Sequence, residues 1–494
     1  MTAALICTML FSMTAYASEE EVLVVNPDCE QLTAEETQEL VKEAFREYYQ
    51  NGELKEELAS EIQMRSEVME TEQGTSEEKE FYVLTHNGKS MSFFMKTIGE
   101  PDENGKYPLY ITLHGGGESP SEENDKQWII MSDYYAESVE NGIYIACRGI
   151  TDTWDLHFQE DSYPLYDRLI EAMIANYDAD PDRVYLLGFS AGGDGVYQVA
   201  PRLTDRFAAV NMSSGHPNGV SLLNLANCPI CLQAGIRDYY SKDAERSIRA
   251  AQFEQILSGY HDDCGFGYEH CVFIHVPSGH NYNDCSDGEC QVLKDPAQFA
   301  ERAQAEGFLD VFLEVLEDCG LGDDVSTLSY YPEEMDADFD QGITDAVTQV
   351  LQLETVDVDA NAVHYVSQFT RDCAPEQLVW DLSERAAKRE KDSFYWLEAG
   401  PEANEGIITA SYDAQTNTIT VETYDDVNSD FAILFHPALI DVSRPVIIET
   451  PEITRTVQVN PSEEFLKASI EENGDPELAC IGKITYSELV GDAQ

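Results

Sequence analysis

The chain has 494 residues, 43% of them hydrophobic, too long for one ordinary domain and able to bury a large core. Acidic residues outnumber basic ones by 94 to 29, a net charge of -65, and a surface of that sign repels nucleic acid and anionic lipid, so neither partner is expected. After the first seventeen residues no apolar run is long enough to span a bilayer, so no membrane insertion is expected once that segment is removed.

Those seventeen residues, "MTAALICTMLFSMTAYA", are a short apolar run ending in Ala15-Tyr16-Ala17, the A-x-A form of a signal-peptidase site. A signal peptide over 1–17 and a secreted or extracytoplasmic protein follow as expectations. Residues 18–78 are acidic and helically spaced. Thr33 and Glu36 form a capping box before a stripe of Leu40, Val41, Ala44, Phe45 and Tyr48, and Leu54, Leu58 and Ile62 suggest a second short helix. "ETEQGTSEEKE" then reads as a solvated linker.

From about residue 79 to 322, short apolar strands alternate with helical stretches, which is the pattern of a sheet built from βα units with helices on both faces. "FYVLTH" and "SMSFFMKTI" predict a hairpin around Asn87-Gly88. Strands follow in "YPLYITLHGGGE", "IYIACRG", "DRVYLLGFSAGG", "FAAVNMSS", "CPICLQAGIRD" and "CVFIHVPSGH", and a helix from Pro296 to Leu316 would close the domain. Residues 323–359 read as a linker. Over 360–494 the short β-branched and aromatic segments predict a β-sandwich-like module, in which Trp380 and Trp396 are expected in the core.

Within "YLLGFSAGGDGVY", Gly188-Phe189-Ser190-Ala191-Gly192 is a G-x-S-x-G between an apolar strand and small residues, the pattern of a nucleophile elbow. A serine hydroxyl needs a base to take its proton. His280 follows the last predicted strand, whereas His275 lies within that strand and His261 and His270 precede it. The base needs an acid to fix its tautomer. Asp238 ends the preceding strand, with Asp262 and Asp263 as less well placed alternatives. The chain order Ser190, Asp238, His280 is that of an α/β-hydrolase. "HGGGE" ends another strand, so the N–H groups of Gly115, Gly116 and Gly117 are candidates, with that of Ala191, for an oxyanion hole.

On "HGGGE", "GFSAGGDG", "GIRD" and "SGH" the chain resembles the α/β-hydrolase superfamily over about residues 80–320, specifically secreted esterases similar to polyhydroxybutyrate depolymerases and feruloyl or acetyl esterases. It is similar also to prolyl-oligopeptidase-type catalytic domains, though no blade-like repeat is present. The resemblance implies a cofactor-free and metal-free serine hydrolase acting on a small ester or acylated carbohydrate. A serine peptidase and a non-catalytic binding protein are the competing readings.

"RGITDTWDLHF" follows a strand, which puts Arg148, Asp152, Trp154 and His157 on the rim shared with Ser190, with Trp154 as a candidate stacking wall. His216 in "SSGHPNG" is a second candidate for the substrate pocket. Twelve cysteines less Cys7 of the leader leave eleven. Cys264, Cys271, Cys285 and Cys290 bracket His280, and for them a crosslink and free thiols stay equally open. Cys228 and Cys231 form a C-x2-C inside a strand and read as core.

Overall fold

The computed structural model describes residues 22–71, 73–238, 246–276, 278–285, 288–303, 352–424, 427 and 430–491, with isolated positions 305, 345, 348 and 349. The expected leader, most of the expected linker and the second half of the expected closing helix lie outside them.

In chain order the first elements are β1 (Leu23–Val25), α1 (Ala34–Gln50), α2 (Gly52–Glu61), β2 (Ile62–Glu70), β3 (Ser76–His86) and β4 (Lys89–Ile98). Then come β5 (Tyr107–Leu113), α3 (Ser121–Tyr134), β6 (Gly142–Cys147), α4 (Ser162–Asn176), β7 (Ala179–Phe189) and α5 (Ala191–Val199). The series continues through β8 (Ala209–Ser213), β9 (Ile230–Gly235), α6 (Arg246–Cys264), β10 (His270–His275), β11 (Glu289–Leu293), α7 (Pro296–Ala303) and β12 (Thr355–Asp359).

β2 to β12 form one eleven-stranded sheet in the order β12-β11-β10-β9-β8-β7-β5-β6-β4-β3-β2. Its centre, from β6 to β10, is parallel, and both flanks are antiparallel. This is the α/β-hydrolase arrangement. The parallel strands are covered on both faces, so most of their residues are apolar. In β5, Leu109, Ile111 and Leu113 pack into the cluster shared with α4 and α5, while Tyr110 turns to the opposite cluster with Trp128 and Met131 of α3. After β6 the chain crosses to the far side of β5 and forms β7 there. The carboxyl ends of β5 and β7 therefore flank the point where strand order reverses, which is where open α/β sheets bind ligands.

The N-terminal extension differs from the sequence expectation. α1 carries the expected capping box, with Thr33 and Glu36 bonded reciprocally. The "linker" after α2, however, is the turn of a hairpin: β2 and β3 pair over nine positions and extend the sheet at its edge. Burial leaves no sequence signal there. β2 exposes Met64 and Val68, and charged and hydroxyl side chains decorate a solvent-facing ribbon, as where Ser66 Oγ donates to Glu78 at 2.8 Å.

The segment expected as a linker likewise contains β12, which pairs with β11 and forms the opposite edge. A helix at Ala362–Val366 then docks on the eleven-stranded sheet, with Ala362 N–H donating to the Asp284 carbonyl at 2.7 Å. The C-terminal β-module proper thus starts at β13 (Gln377–Asp381) rather than at residue 360. It continues through β14 (Ser393–Phe394), β15 (Leu397–Ala399), β16 (Ile407–Asp413), β17 (Thr418–Tyr424), β18 (Phe431–Leu434), β19 (Val446–Glu449), β20 (Thr454–Val459) and β21 (Lys483–Thr485). One sheet has the order β1-β20-β19-β17-β16-β13 and the other β14-β15-β18-β21. Trp380 of the first sheet stacks on Phe394 of the second at 5.3 Å, and Trp396 is fully buried with its indole N–H on the Pro375 carbonyl, so both tryptophans are core.

The two halves meet through buried ion pairs. Asp475 Oδ2 accepts from Arg371 at 2.8 Å and from Arg206 at 3.2 Å, while Arg389 binds Asp167 at 3.0 Å and Asp205 at 2.7 Å. Among the described residues no helix is long and apolar enough to cross a membrane.

Candidate active site

Ser190 stands between β7 and α5 with φ 60° and ψ -120°, a conformation that costs on the order of 1–3 kcal/mol for a residue with a side chain. The turn is too tight for side chains on its inner surface. A Cβ on Gly188 would lie 2.2 Å from the Gly192 carbonyl oxygen, and one on Gly192 would lie 2.0 Å from that of Leu113. The two glycines of the motif thus let the strand and helix close on each other, and closure lifts the serine out of the sheet.

His280 follows β10, with its Nε2 2.9 Å from Ser190 Oγ and its Nδ1 3.0 Å from Asp238 Oδ2. Asp238 is fully buried beyond the end of β9, where its second oxygen lies 3.4 Å from Arg246 Nη1. The parallel pairing of β9 with β10 brings these two loops side by side, and Ser214 Oγ holds the His280 carbonyl at 2.9 Å. Asp262 falls within α6 and Asp263 near its end, both exposed, so the alternative acids stand away from the site. His275 is buried within β10, its Nε2 2.8 Å from Gln233 Oε1, and burial holds its pKa down to about 3.

The glycine loop after β5 curls around Ser190. A Cβ on Gly115 would lie 3.3 Å from Ser190 Cβ, and one on Gly116 would collide with Asn124 Oδ1 at 2.3 Å. The Gly117 N–H is already spent on Asn124 Oδ1 at 2.9 Å, so of the four candidate oxyanion donors it is the one turned away. Ala191 opens α5, and its N–H is among the first four of the helix, which have no intrahelical acceptor.

His114 and His157 brace this loop from below. The His114 ring accepts from Gly149 N–H through Nε2 at 3.1 Å, which leaves Nδ1–H to donate to the Gly115 carbonyl at 2.5 Å. His157 Nε2–H donates to the His114 carbonyl at 2.8 Å. Burial keeps both rings neutral, lowering His157 to about 4 and His114 well below the ordinary histidine range.

Asn124 was invisible in the sequence: a single buried asparagine at a helix start carries no motif. Its amide links Gly117 to Asp152, donating to Asp152 Oδ1 at 2.8 Å, and Arg148 Nη2 reaches the same oxygen at 2.5 Å. Burial raises the Asp152 pKa, but the hydrogen bonds from Arg148 and Asn124 outweigh it and hold the carboxyl below its usual range. Arg148 and Asp152 thus support the loop from behind. Trp154 lies at the rim, with its Cα 3.3 Å from a Cβ placed on Gly117 and its side chain 48% exposed, edge-on to Phe158. His216 flanks the other side of α5, where its N–H donates to Asp194 Oδ1 at 2.6 Å.

The four cysteines around His280 are free thiols, as are all those among the described residues. Cys285 Sγ donates to Asn283 Oδ1 at 3.1 Å, Cys290 Sγ lies 3.6 Å from His275 Nδ1, and Cys271 stands beside Cys231 across β9 and β10, so a crosslink is not what orders this loop. That work falls to Asp284, also missed in the sequence. Its fully buried carboxylate accepts from Tyr134 at 2.7 Å, from Tyr135 at 2.9 Å and from Ser213 Oγ.

No family model matches the chain. A bifunctional acetylxylan esterase/xylanase from Neocallimastix patriciarum is 32% identical over 114 residues, which is 22% of this chain and 16% of that protein, so the chain spans about a sixth of that relative's length. Among solved structures, the poly(3-hydroxybutyrate) depolymerase LpqC from Bordetella parapertussis is 16% identical with TM-score 0.32, covering 41% of this chain and 85% of its own. A ferulic acid esterase is 14% identical with TM-score 0.28, covering 45% and 91%, and a thermostable esterase is 16% identical with TM-score 0.29, covering 41% and 60%.

Proposed function

We propose that the chain is a serine hydrolase of carboxylic esters. The observation that carries this reading is the unbroken run of contacts from Ser190 Oγ to His280 Nε2 at 2.9 Å and from His280 Nδ1 to Asp238 Oδ2 at 3.0 Å, with the serine raised on a strained turn. Ser190 Oγ attacks the ester carbonyl as His280 takes its proton, and Asp238 stabilises the imidazolium. The oxyanion meets the N–H of Ala191 and those of Gly115 and Gly116, fixed in advance by the turn and by Asn124. His280 returns the proton to the departing alcohol. Water, deprotonated by the same ring, then attacks the acyl-enzyme and frees the acid and Ser190. Every proton in the cycle is carried by His280. The apolar leader adds export to the reading, with a mature chain beginning near Ser18.

The test is a fluorophosphonate probe together with a panel of short acyl esters, acylated sugars and peptide anilides. Labelling of wild type but not of Ser190→Ala, with turnover of esters and not of anilides, is the expected result. An unlabelled wild type, or faster turnover of anilides, overturns the proposal. Replacing Ser190 and His280 singly or together should cost about the same, on the order of 10^6-fold in kcat, because they act as a unit.

A further inference from the structure

The eleven-stranded sheet ends differently on its two sides. β12, at one edge, is five residues long and carries Asp357 and Asp359, and a short strand of like charges is one way a protein keeps a sheet edge from pairing with another chain. β2, at the other edge, is long and regular. It runs for nine residues without proline or lysine and pairs with β3 in unbroken register from Ile62 to Glu70, with no bulge to twist it away. Its charges, unlike those of β12, are of both signs. At about 3.4 Å per residue it offers an edge about 30 Å long, and among the described residues nothing pairs with its outer side.

Both faces of this edge strand carry side chains that lack a partner. In a chain where acids outnumber bases by 94 to 29, Arg65 is exposed and has no ion-pair or hydrogen-bond partner among the described residues, and neither has Glu67 two positions on. On the opposite face Met64 and Val68 are 64% and 72% exposed, more than any other large hydrophobic side chain among the described residues. Ser66 is the midpoint of both pairs.

We infer that β2 is the seam of a symmetric homodimer, in which the β2 strands of two copies pair antiparallel about a two-fold axis at Ser66 and join the two sheets into one. In that register Arg65 faces Glu67 twice and Met64 faces Val68 twice, while Ser66 meets its own copy on the axis, where a small side chain fits. Moving the axis by one residue destroys the match: centred on Arg65 it sets two guanidinium groups face to face, and centred on Glu67 two carboxylates. An axis between two residues would oppose outward-pointing amides to inward-pointing ones and forfeit the ladder. Glu67 also lies beside Lys79, its neighbour on β3, so in the dimer it stands between that lysine and the Arg65 of the second copy. The strand is thus complementary to itself in charge and in shape, as an isologous interface requires.

Sedimentation velocity on the full chain tests the seam, at about 0.15 M salt, where a Debye length of about 8 Å screens the repulsion between two copies of charge -65. A seam of one strand is a small interface, so a reversible dimer in the micromolar range is expected. Arg65→Glu and Glu67→Arg each turn both cross-strand ion pairs into like charges and should weaken self-association by about tenfold or more. Mixed in equal amounts, the two variants should associate again, because each supplies the charge the other lacks. The double variant Arg65→Glu/Glu67→Arg should self-associate as wild type does. A wild type that stays monomeric at about 100 µM, far above the expected range, overturns the seam, and so do single variants that dimerise as wild type does. Single variants that melt like wild type, lose the dimer and yet stay apart when mixed overturn the register.

Discussion

The main-chain N–H of Ser190 donates to the carbonyl of Ser213 at 2.9 Å, and the hydroxyl of that same Ser213 donates to Asp284, four residues after His280. The elbow and the histidine loop are therefore fastened to one residue at the end of β8. Their relative position does not depend on the surface loop being stiff by itself.

Asp284→Asn keeps the shape of this anchor but turns an amide N–H₂ toward hydroxyl donors. We expect kcat on a small ester to fall about 10- to 100-fold with KM nearly constant, since small displacements of a proton carrier cost rate rather than binding. Asp238→Asn should cost far more, about 10^4-fold, through the wrong imidazole tautomer. Steady-state kinetics with a melting curve decide the point, and an Asp284→Asn that melts early yet turns over at the full rate would show the anchor to be structural only.

Gly116 has φ +112° and no room for a Cβ beside Asn124. Gly116→Ala should push the loop off its oxyanion geometry and reduce kcat by about 10²- to 10³-fold, the usual worth of one such donor. Wild-type kcat in this variant would mean that the loop does not touch the oxyanion.

His157 and His275 are held neutral by burial, at about 4 and about 3, against about 6.5 in an unfolded chain. Between those values the unfolded chain binds more protons than the folded one, so stability falls as pH drops from 6.5 toward 4. His157→Gln, which keeps an N–H for the His114 carbonyl, should flatten the decline by up to about 3 kcal/mol. Urea midpoints taken across this range provide the measurement. Parallel curves for the variant and wild type would rule out the contribution.

Asp475 neutralises two buried guanidinium groups, and the attraction of Arg371 and Arg206 more than offsets its burial, holding its pKa below the usual carboxylate range. Asp475→Asn removes the carboxylate the two cations share, leaving Arg371 with Asp182 and Arg206 with Asp167, and should cost about 3 kcal/mol of stability. Chemical denaturation followed by tryptophan fluorescence, with Trp380 and Trp396 in the C-terminal core, would register the loss. A variant unfolding at the wild-type midpoint would mean that water or neighbouring carboxylates take over the role.

How much of this could be read in advance followed from whether a feature is written locally. Ser190, Asp238 and His280 each sit just past an apolar run, and the hydrolase order of strands does the rest, so three side chains far apart in sequence could be placed together. Asn124 and Asp284 escaped notice because their importance lies in partners brought by other strands. Gly117 has the same chemistry as Gly115 and Gly116 in the sequence, and only the direction of its N–H, donated to Asn124 Oδ1, sets it apart. β2 and β12 leave little trace in the sequence because edge strands need little burial and so carry little hydrophobic pattern.

β1 pairs in parallel with β20, and Asn26 Nδ2 donates to the Asn460 carbonyl at 2.8 Å across 434 residues of sequence. Leu23–Val25 therefore cannot pair until Thr454–Val459, more than four hundred residues further along, has been made. Until then Leu23–Val25 lacks its partner strand, and Thr454–Val459 emerges with an open edge that an extended peptide can occupy. A chain lacking Leu23–Val25 should therefore accept that strand from an intact molecule, and two intact copies that exchange it would be joined in a symmetric dimer through a seam that each normally closes on itself.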